Sequence, residues 1–258
     1  IYVNDAFSCS HRNHASIVGI SKIIPSFAGI GFENEISNIN GALETPARPL
    51  IAIVGGSKVS TKLKTIINII PKADSISIGG AMANTFLAAN GFDIGKSLVE
   101  LEMINEAKEI INLAKKNNCE IILPEDVITA KELNNGAITK EFDVNNVPKE
   151  SMILDIGRRS INYLINKINK SNTIVWNGPL GAFEFEPFDY ATNEIAKHVA
   201  NLTIDMKLTS VAGGGDTVSA LQKSDSGNKF TYLSTAGGAF LEWLEGKTLP
   251  GIIPLIKK

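Results

Sequence analysis

Five apolar runs of this chain end on glycine-rich turns, and that repeated pairing restricts the fold more than any other feature of the sequence. LIAIVGG stops at Gly55 and Gly56, SISIGG at Gly79 and Gly80, TIVWNGP at Asn177, Gly178 and Pro179, KLTSVAGGG at Gly213, Gly214 and Gly215, and FTYLSTAGG at Gly237 and Gly238. Most of them lead into helical patterns; helices are predicted over Val59 to Ile70, Met82 to Asn90 and, at greater length, Leu98 to Asn117. Short β-branched runs alternating with helices specify a parallel sheet covered on both faces. EIILPEDVITA and MILDIG read as further members of the series. The expected fold class is therefore α/β, a Rossmann-like parallel sheet with helices on both faces. Ligands of open α/β sheets bind outside the carboxyl ends of the strands, so the five turns would line one rim and leave room for an extended ligand.

The richest turn is VAGGGDTVSALQ, from Val211 to Gln222. Gly213, Gly214 and Gly215 carry no side chain to hold off an anion, and the helix that starts near Asp216 adds its positive end. That end offers roughly +0.5 of a charge, against about −1.5 to −2 on one phosphate monoester. Further cations must come from elsewhere, because the loop has no lysine and does not match a Walker A pattern. Asp216 suggests one source, since a carboxylate beside a polyphosphate holds it through Mg2+. Read alone, the same residues also describe a tight glycine turn capped by Asp216.

GGSKVSTK supplies the cations. Lys58 and Lys62 are four residues apart, so on a helix both ammonium groups project from one face near its start, where they balance a transferring phosphoryl group. A solvated surface pair is the alternative. Asn177 can donate to phosphate without adding charge, and Glu184 in GAFEFE can accept from ribose hydroxyls. Phe183, Phe185 and Phe188 read as core or hinge packing. NGFDIGKS fails as a P-loop, because only three residues separate Gly91 from Gly95. His11 and His14 have HxxH spacing without the Glu of HExxH, so zinc is not expected. Arg12 reads better as an anion contact through its planar fork.

The chain is 44% hydrophobic and 20% charged, as ordinary soluble globular proteins are. A formal charge of −2 without a basic run argues against nucleic acid or an anionic membrane as partner, and the longest apolar stretches fall short of the roughly 20 residues of a membrane span. Cys9 and Cys119 are isolated, which fits a reducing, cytoplasmic compartment. Ile1 opens the chain inside an apparent strand, IYVND, without a methionine, and this predicts a missing N-terminal portion. Phe32, Ile36, Ile39 and Leu43 mark one face of a helix that TPARP ends. Lys131 to Pro148 is loop-rich and reads as a surface excursion or hairpin with no recognisable chemistry.

VNDAFSCSHRNHAS, RPLIAIVGGSKVSTK, IGGAMANTF, WNGPLGAFE, GGGDT and STAGGAFLEWLEGKTLPG follow one another in an order that closely resembles the phosphoglycerate kinase family, and the resemblance covers essentially the whole chain. It implies reversible, Mg2+-dependent phosphoryl transfer from 1,3-bisphosphoglycerate to ADP, giving ATP and 3-phosphoglycerate, by a monomer of two Rossmann-like domains that close on a hinge. By that resemblance residues 1–28 are a remnant of the N-terminal, phosphoglycerate-binding domain, 29–48 the interdomain helix and hinge, 49–248 the nucleotide-binding domain, and 249–258 a tail returning toward the N-terminal domain. It also implies that Arg12, Lys58, Gly214 and Gly237 are catalytic positions, Arg12 touching the glycerate substrate as well. Gly213, Gly215, Lys62, Asn177 and Thr217 would grip the nucleotide phosphates, with Asp216 on Mg2+. Gly55, Gly56, Gly79, Gly80 and Pro179 would wall the adenine slot, with Glu184 on the ribose. Ala81, Arg158 and Ala182 depart from the family's usual glycine, proline and valine. With only Arg12 and its neighbours left of the family's basic cluster, the expectation is a chain that binds nucleotide and turns over poorly. A non-catalytic ADP/ATP-binding module is the alternative; a dinucleotide oxidoreductase is disfavoured by the lack of GxGxxG followed by an acid.

Overall fold

The computed structural model describes residues 1–256; of the C-terminal tail, Lys257 and Lys258 lie outside the described residues. The chain opens with β1 (Tyr2–Asn4), which pairs in parallel with β2 (Ser26–Ala28) and leads into α1 (Ile30–Leu43). Then come β3 (Leu50–Gly55), α2 (Val59–Ile69), β4 (Ser75–Gly79), α3 (Met82–Ala89), α4 (Ile104–Lys116) and β5 (Glu120–Ile122). A second arm follows, with β6 (Asp126–Ala130), β7 (Lys140–Asp143), β8 (Met152–Ile156), α5 (Arg158–Ile168) and β9 (Thr173–Asn177). It is completed by α6 (Tyr190–Ile204), β10 (Thr209–Gly213), α7 (Gly215–Lys223), β11 (Tyr232–Ser234) and α8 (Gly238–Leu244).

Six strands form one sheet in the order β11-β10-β9-β3-β4-β5, and every neighbouring pair is parallel. The chain winds outward from β3 through β4 to β5, then returns beside β3 and winds the other way. The strand order therefore reverses between β3 and β9, the place where doubly wound sheets open a crevice. Alternation along β3 divides the core. Leu50, Ala52 and Val54 join a cluster with residues of α1, α2, α3 and α8, whereas Ile51 and Ile53 join Ile174, Trp176 and residues of α5 and α6. All six residues of β3 are buried, as a strand with both faces covered requires.

Residues 1–28 are docked on this body. Phe7 packs edge-on against Phe32 of α1 and Trp243 of α8, with ring centroids 5.6 and 6.3 Å apart. The tail meets them, since the Gly251 N–H donates to Ser10 O at 2.8 Å. Cys9 is exposed, and burial pushes the Cys119 thiol up to about 12, helped by Asp74 and Glu120.

Two sequence expectations change. EIILPEDVITA is not one strand, and neither its second half nor MILDIG enters the parallel sheet: β6 and β8 pair antiparallel, and β7, from the loop-rich excursion, completes a three-stranded sheet in the order β7-β6-β8. Pro124 stands between β5 and β6 and has no N–H for a ladder. Asp126 then accepts from the Arg159 and Ser160 N–H groups at 2.9 and 2.8 Å, tying β6 to the start of α5. The long helix begins at Ile104, not at Leu98, because Glu100 is drawn away to the start of α2. Its carboxylate accepts from the Ser60 N–H at 3.0 Å and from Ser60 Oγ at 2.5 Å. Burial alone would raise its pKa; these bonds outweigh burial and hold it below the usual range. No described helix is long and apolar enough to cross a membrane.

The two glycine environments predict opposite mutational outcomes. A Cβ on Gly55 would lie 1.9 Å from Pro179 O, whereas one on Gly41, inside α1, would meet nothing within 4 Å. Gly55→Ala should cost about 3 kcal/mol or more, and Gly41→Ala should stabilise by roughly 0.5–1 kcal/mol. Urea unfolding of both variants checks the pair.

Candidate functional site

At the crevice the turns after β3, β9 and β10 are joined by side chains. Lys62, in the opening turns of α2, donates through Nζ to Asn177 Oδ1, at the end of β9. Asn177 Nδ2 donates to Gly213 O at 2.7 Å, and the Gly178 N–H donates to Thr217 Oγ1 of α7, also at 2.7 Å. Asn177 was read from the sequence as a phosphate donor. In the structure its amide is engaged at both ends, by Lys62 through Oδ1 and by Gly213 O through Nδ2. Lys62 is half-buried, and burial lowers its pKa; the charges of Asp216 and Glu245 act against that shift.

The start of α7 is the second component. Its first helical bond runs from the Val218 N–H to Gly214 O, so the N–H groups of Gly215, Asp216 and Thr217 have no acceptor among the described residues. Gly215 and Asp216 are exposed there, and a Cβ on Gly215 would meet nothing within 4 Å. Gly214 has φ +97°, and a Cβ on it would lie 2.5 Å from Asn177 Nδ2. The glycines therefore divide into two groups. Gly215, Gly237 and Gly56 leave open space or nearly so. Gly55, Gly79, Gly80, Gly213 and Gly214 instead make room for protein atoms: Pro179 O, Leu180, Gly56 O, Phe240 and Asn177 in turn. The rim glycines therefore do not all border open space.

A cavity of about 290 Å³ adjoins the α7 start and holds Gly56, Gly80, Pro179, Glu184 and Asp216 in its wall. Gly55 and Gly79 are buried and do not reach it. Sequence reasoning missed Asn84, Leu98 and Leu133, which also line it. Leu133 comes from the excursion that had shown no chemistry, and only the antiparallel sheet brings that excursion to the rim. A larger cavity, about 580 Å³, lies against Thr129, Ile138 and Phe142 and shares no lining residue with the first.

Lys58 does not share a helical face with Lys62. It is the N-cap of α2, with extended backbone (φ −135°, ψ 130°), and its side chain is exposed. Arg12 is exposed as well, and the neighbouring His11 ring packs on the Gly237–Gly238 turn: a Cβ on Gly238 would lie 2.9 Å from His11 Nε2.

The family model described as phosphoglycerate kinase matches residues 1–247. This chain belongs to the phosphoglycerate kinase family. It is 49% identical over 257 residues to phosphoglycerate kinase of Bartonella tribocorum, covering 100% of this chain and 65% of that one. Phosphoglycerate kinase of Rhizobium leguminosarum bv. trifolii is 51% identical over 255 residues, at 99% and 64% coverage. The solved phosphoglycerate kinase from Coxiella burnetii superposes with a TM-score of 0.94 at 42% identity, over 98% of this chain and 64% of that one. That from Pyrococcus horikoshii OT3 gives 0.83 at 33% identity, with 98% and 63% covered. The chain thus spans a little under two thirds of the length of these phosphoglycerate kinases. Of its departures from the family pattern, Ala81 and Ala182 line the cavity and Arg158 does not. The Arg158 N–H donates to Glu141 Oε1 at 2.8 Å, a bond that a proline cannot make.

The Lys62 environment sets a pH dependence. Its folded pKa lies below its unfolded value, so the unfolded chain binds more protons between the two, and stability rises with pH up to about 10.4. In the ligand-free protein, Lys62→Met should remove this rising component. Urea midpoints of the two proteins compared across that alkaline window measure it; parallel curves would contradict the assignment.

Proposed function

We propose that this chain carries the nucleotide half of a phosphoglycerate kinase and binds ADP or ATP with Mg2+ along the sheet rim. The observation that carries this reading is the junction of Lys62, Asn177 and the free N–H groups of α7 beside the cavity. On this reading the polyphosphate meets the α7 N-terminus and Lys62, and its charge compensates the desolvated ammonium. Gly213, Gly215 and Thr217 hold the phosphates with them. The base enters the cavity between Gly56, Gly80 and Pro179, and Glu184 accepts from the ribose.

Asp216 suits a metal-nucleotide complex. Its carboxylate is exposed in the first turn of α7, and among the described residues no group of three or more His, Cys, Asp or Glu side chains converges on an ion. One carboxylate, completed by phosphate oxygens and water, is a usual arrangement for Mg2+. Bound there, the ion supplies charge neutralisation to the phosphoryl oxygens.

In the proposed reaction a terminal oxygen of ADP attacks the acyl phosphate phosphorus of 1,3-bisphosphoglycerate. The bond to the carboxylate oxygen breaks, giving ATP and 3-phosphoglycerate. Charge spreads over the oxygens of the group in flight, so fixed cations stabilise it. Lys58 and Arg12 are assigned that task, with the backbone at Gly214 and Gly237 close by. Residues 29–48 act as the hinge between 1–28 and 49–248, and the protein works as a cytoplasmic monomer without a nucleic-acid or membrane partner. Arg12 and Lys58 are the cations assigned to the acyl phosphate here, so we further propose that these 258 residues bind nucleotide but turn over poorly.

Calorimetric titration with Mg-ADP should show one binding site, and an absence of binding would refute the first claim. A coupled ATP-forming assay should show little turnover; robust activity would refute the second. Lys58→Ala should lower whatever turnover remains by about a hundredfold, with Mg-ADP affinity changed only a few-fold. Equal losses in both would contradict its transition-state role.

A further inference from the structure

The larger cavity, about 580 Å³, lies within the size range of small-molecule sites, and no residue of its wall belongs to the cavity at the sheet rim. β6 and β7 build its floor. In their antiparallel register Val127 stands opposite Phe142 and Thr129 opposite Lys140, so these four side chains share one face of the sheet. Val127 packs in a core with Leu87 of α3, and beyond it Thr129, Lys140 and Phe142 line the cavity. Ala130, Ala137, Ile138 and Pro148 add apolar wall, and Ile138 is 89% exposed there.

The polar groups of this wall favour an anion. Lys131 and Lys140 both line it, and neither has an ion-pair partner among the described residues. The two carboxylates of the wall are engaged: Glu150 pairs with Lys96, and Glu132 accepts from Asn134 Nδ2 at 3.0 Å. With Lys96 included, three ammonium groups face two carboxylates, which leaves one net positive charge. Ser151 lines the same wall and is 9% exposed, and its hydroxyl makes no hydrogen bond among the described residues. Groups so buried are nearly always paired. The unpaired side-chain atoms that are sealed from solvent belong to Asn4, His11, Asn84 and Glu106, so the Ser151 hydroxyl is accessible and keeps a donor for an occupant of the cavity.

We propose that this cavity binds a small organic monocarboxylate, its apolar body against Phe142, Ile138 and Pro148 and its carboxylate held by Lys131, Lys140 and the Ser151 hydroxyl. A single net positive charge suits a monoanion better than a phosphate dianion, and the apolar wall calls for a carbon body. The site does not rest on the nucleotide reading above.

The test is calorimetric titration of the full chain with 2-naphthoate, with its neutral isostere 2-naphthamide, and with inorganic phosphate. The wild type should bind one 2-naphthoate, roughly tenfold more tightly than the amide and more tightly than phosphate. Lys131→Gln/Lys140→Gln should bring 2-naphthoate to the level of the amide and leave the amide unchanged. Ile138→Asn, at an exposed position, should weaken both naphthyl ligands by a similar factor of a few-fold. No binding of 2-naphthoate, or equal affinity for the acid and the amide, would overturn the proposal. So would 2-naphthoate affinity untouched by the lysine and isoleucine variants, since the probe would then sit elsewhere, the rim cavity included. Phosphate binding as tightly as 2-naphthoate would reduce the site to a simple anion contact and reject the organic ligand.

Discussion

The rest of the architecture depends on the close approach of two backbones where the strand order reverses. A Cβ on Gly178 would lie 2.0 Å from Gly55 O, and one on Gly55 would lie 1.9 Å from Pro179 O. Gly178 also has φ +111°, which L side chains rarely adopt. With no side chain between them, the turns after β3 and β9 lie against each other, and the register Val54 to Asn177 sets the ends of these strands side by side. Lys62, one element after β3, then reaches Asn177, and Asn177 reaches Gly213. The contact is structural, yet it gathers three turns from distant parts of the sequence into one rim.

The electrostatics of that rim lean toward an anion. Three backbone N–H groups at the start of α7 lack acceptors among the described residues, and a half-buried ammonium is held at a cost by desolvation. The start of α2 differs. There Glu100 already accepts from Ser60, so the positive end of that helix is occupied by the protein's own carboxylate. Of these two helix starts, α7 is therefore the one open to a ligand.

Much of the fold was legible because its signal is local. A run such as LIAIV is apolar on both faces, so it must be covered on both, and its alternation with helices leaves a parallel sheet as the solution. α2 and α3 begin at the residues predicted. What failed was non-local. Nothing in DVITA or MILDIG distinguishes a strand of the main sheet from one of a separate antiparallel sheet, because pairing direction is decided by where the chain turns. Pro124 and the Asp126 carboxylate at the start of α5 settle that turn. Leu98 to Glu100 read as helix by pattern, and a hydrogen bond across 40 residues in sequence draws Glu100 out of it.

For the site, the sequence by itself determined the chemistry available: a glycine loop opening a helix with Asp216, the Lys58 and Lys62 cations, and the Asn177 amide, in an order that also carries the family resemblance. These are properties of residue type and spacing. Only the tertiary structure decided which of them converge and in what role. It made Asn177 a bridge and separated Lys58 from the face of Lys62. Glycines that make room for protein were told apart from those open to ligand, and Leu133 and Asn84 were brought to the cavity. The physical reason is that hydrogen bonding, burial and desolvation are set by neighbours distant in sequence, which no local pattern encodes.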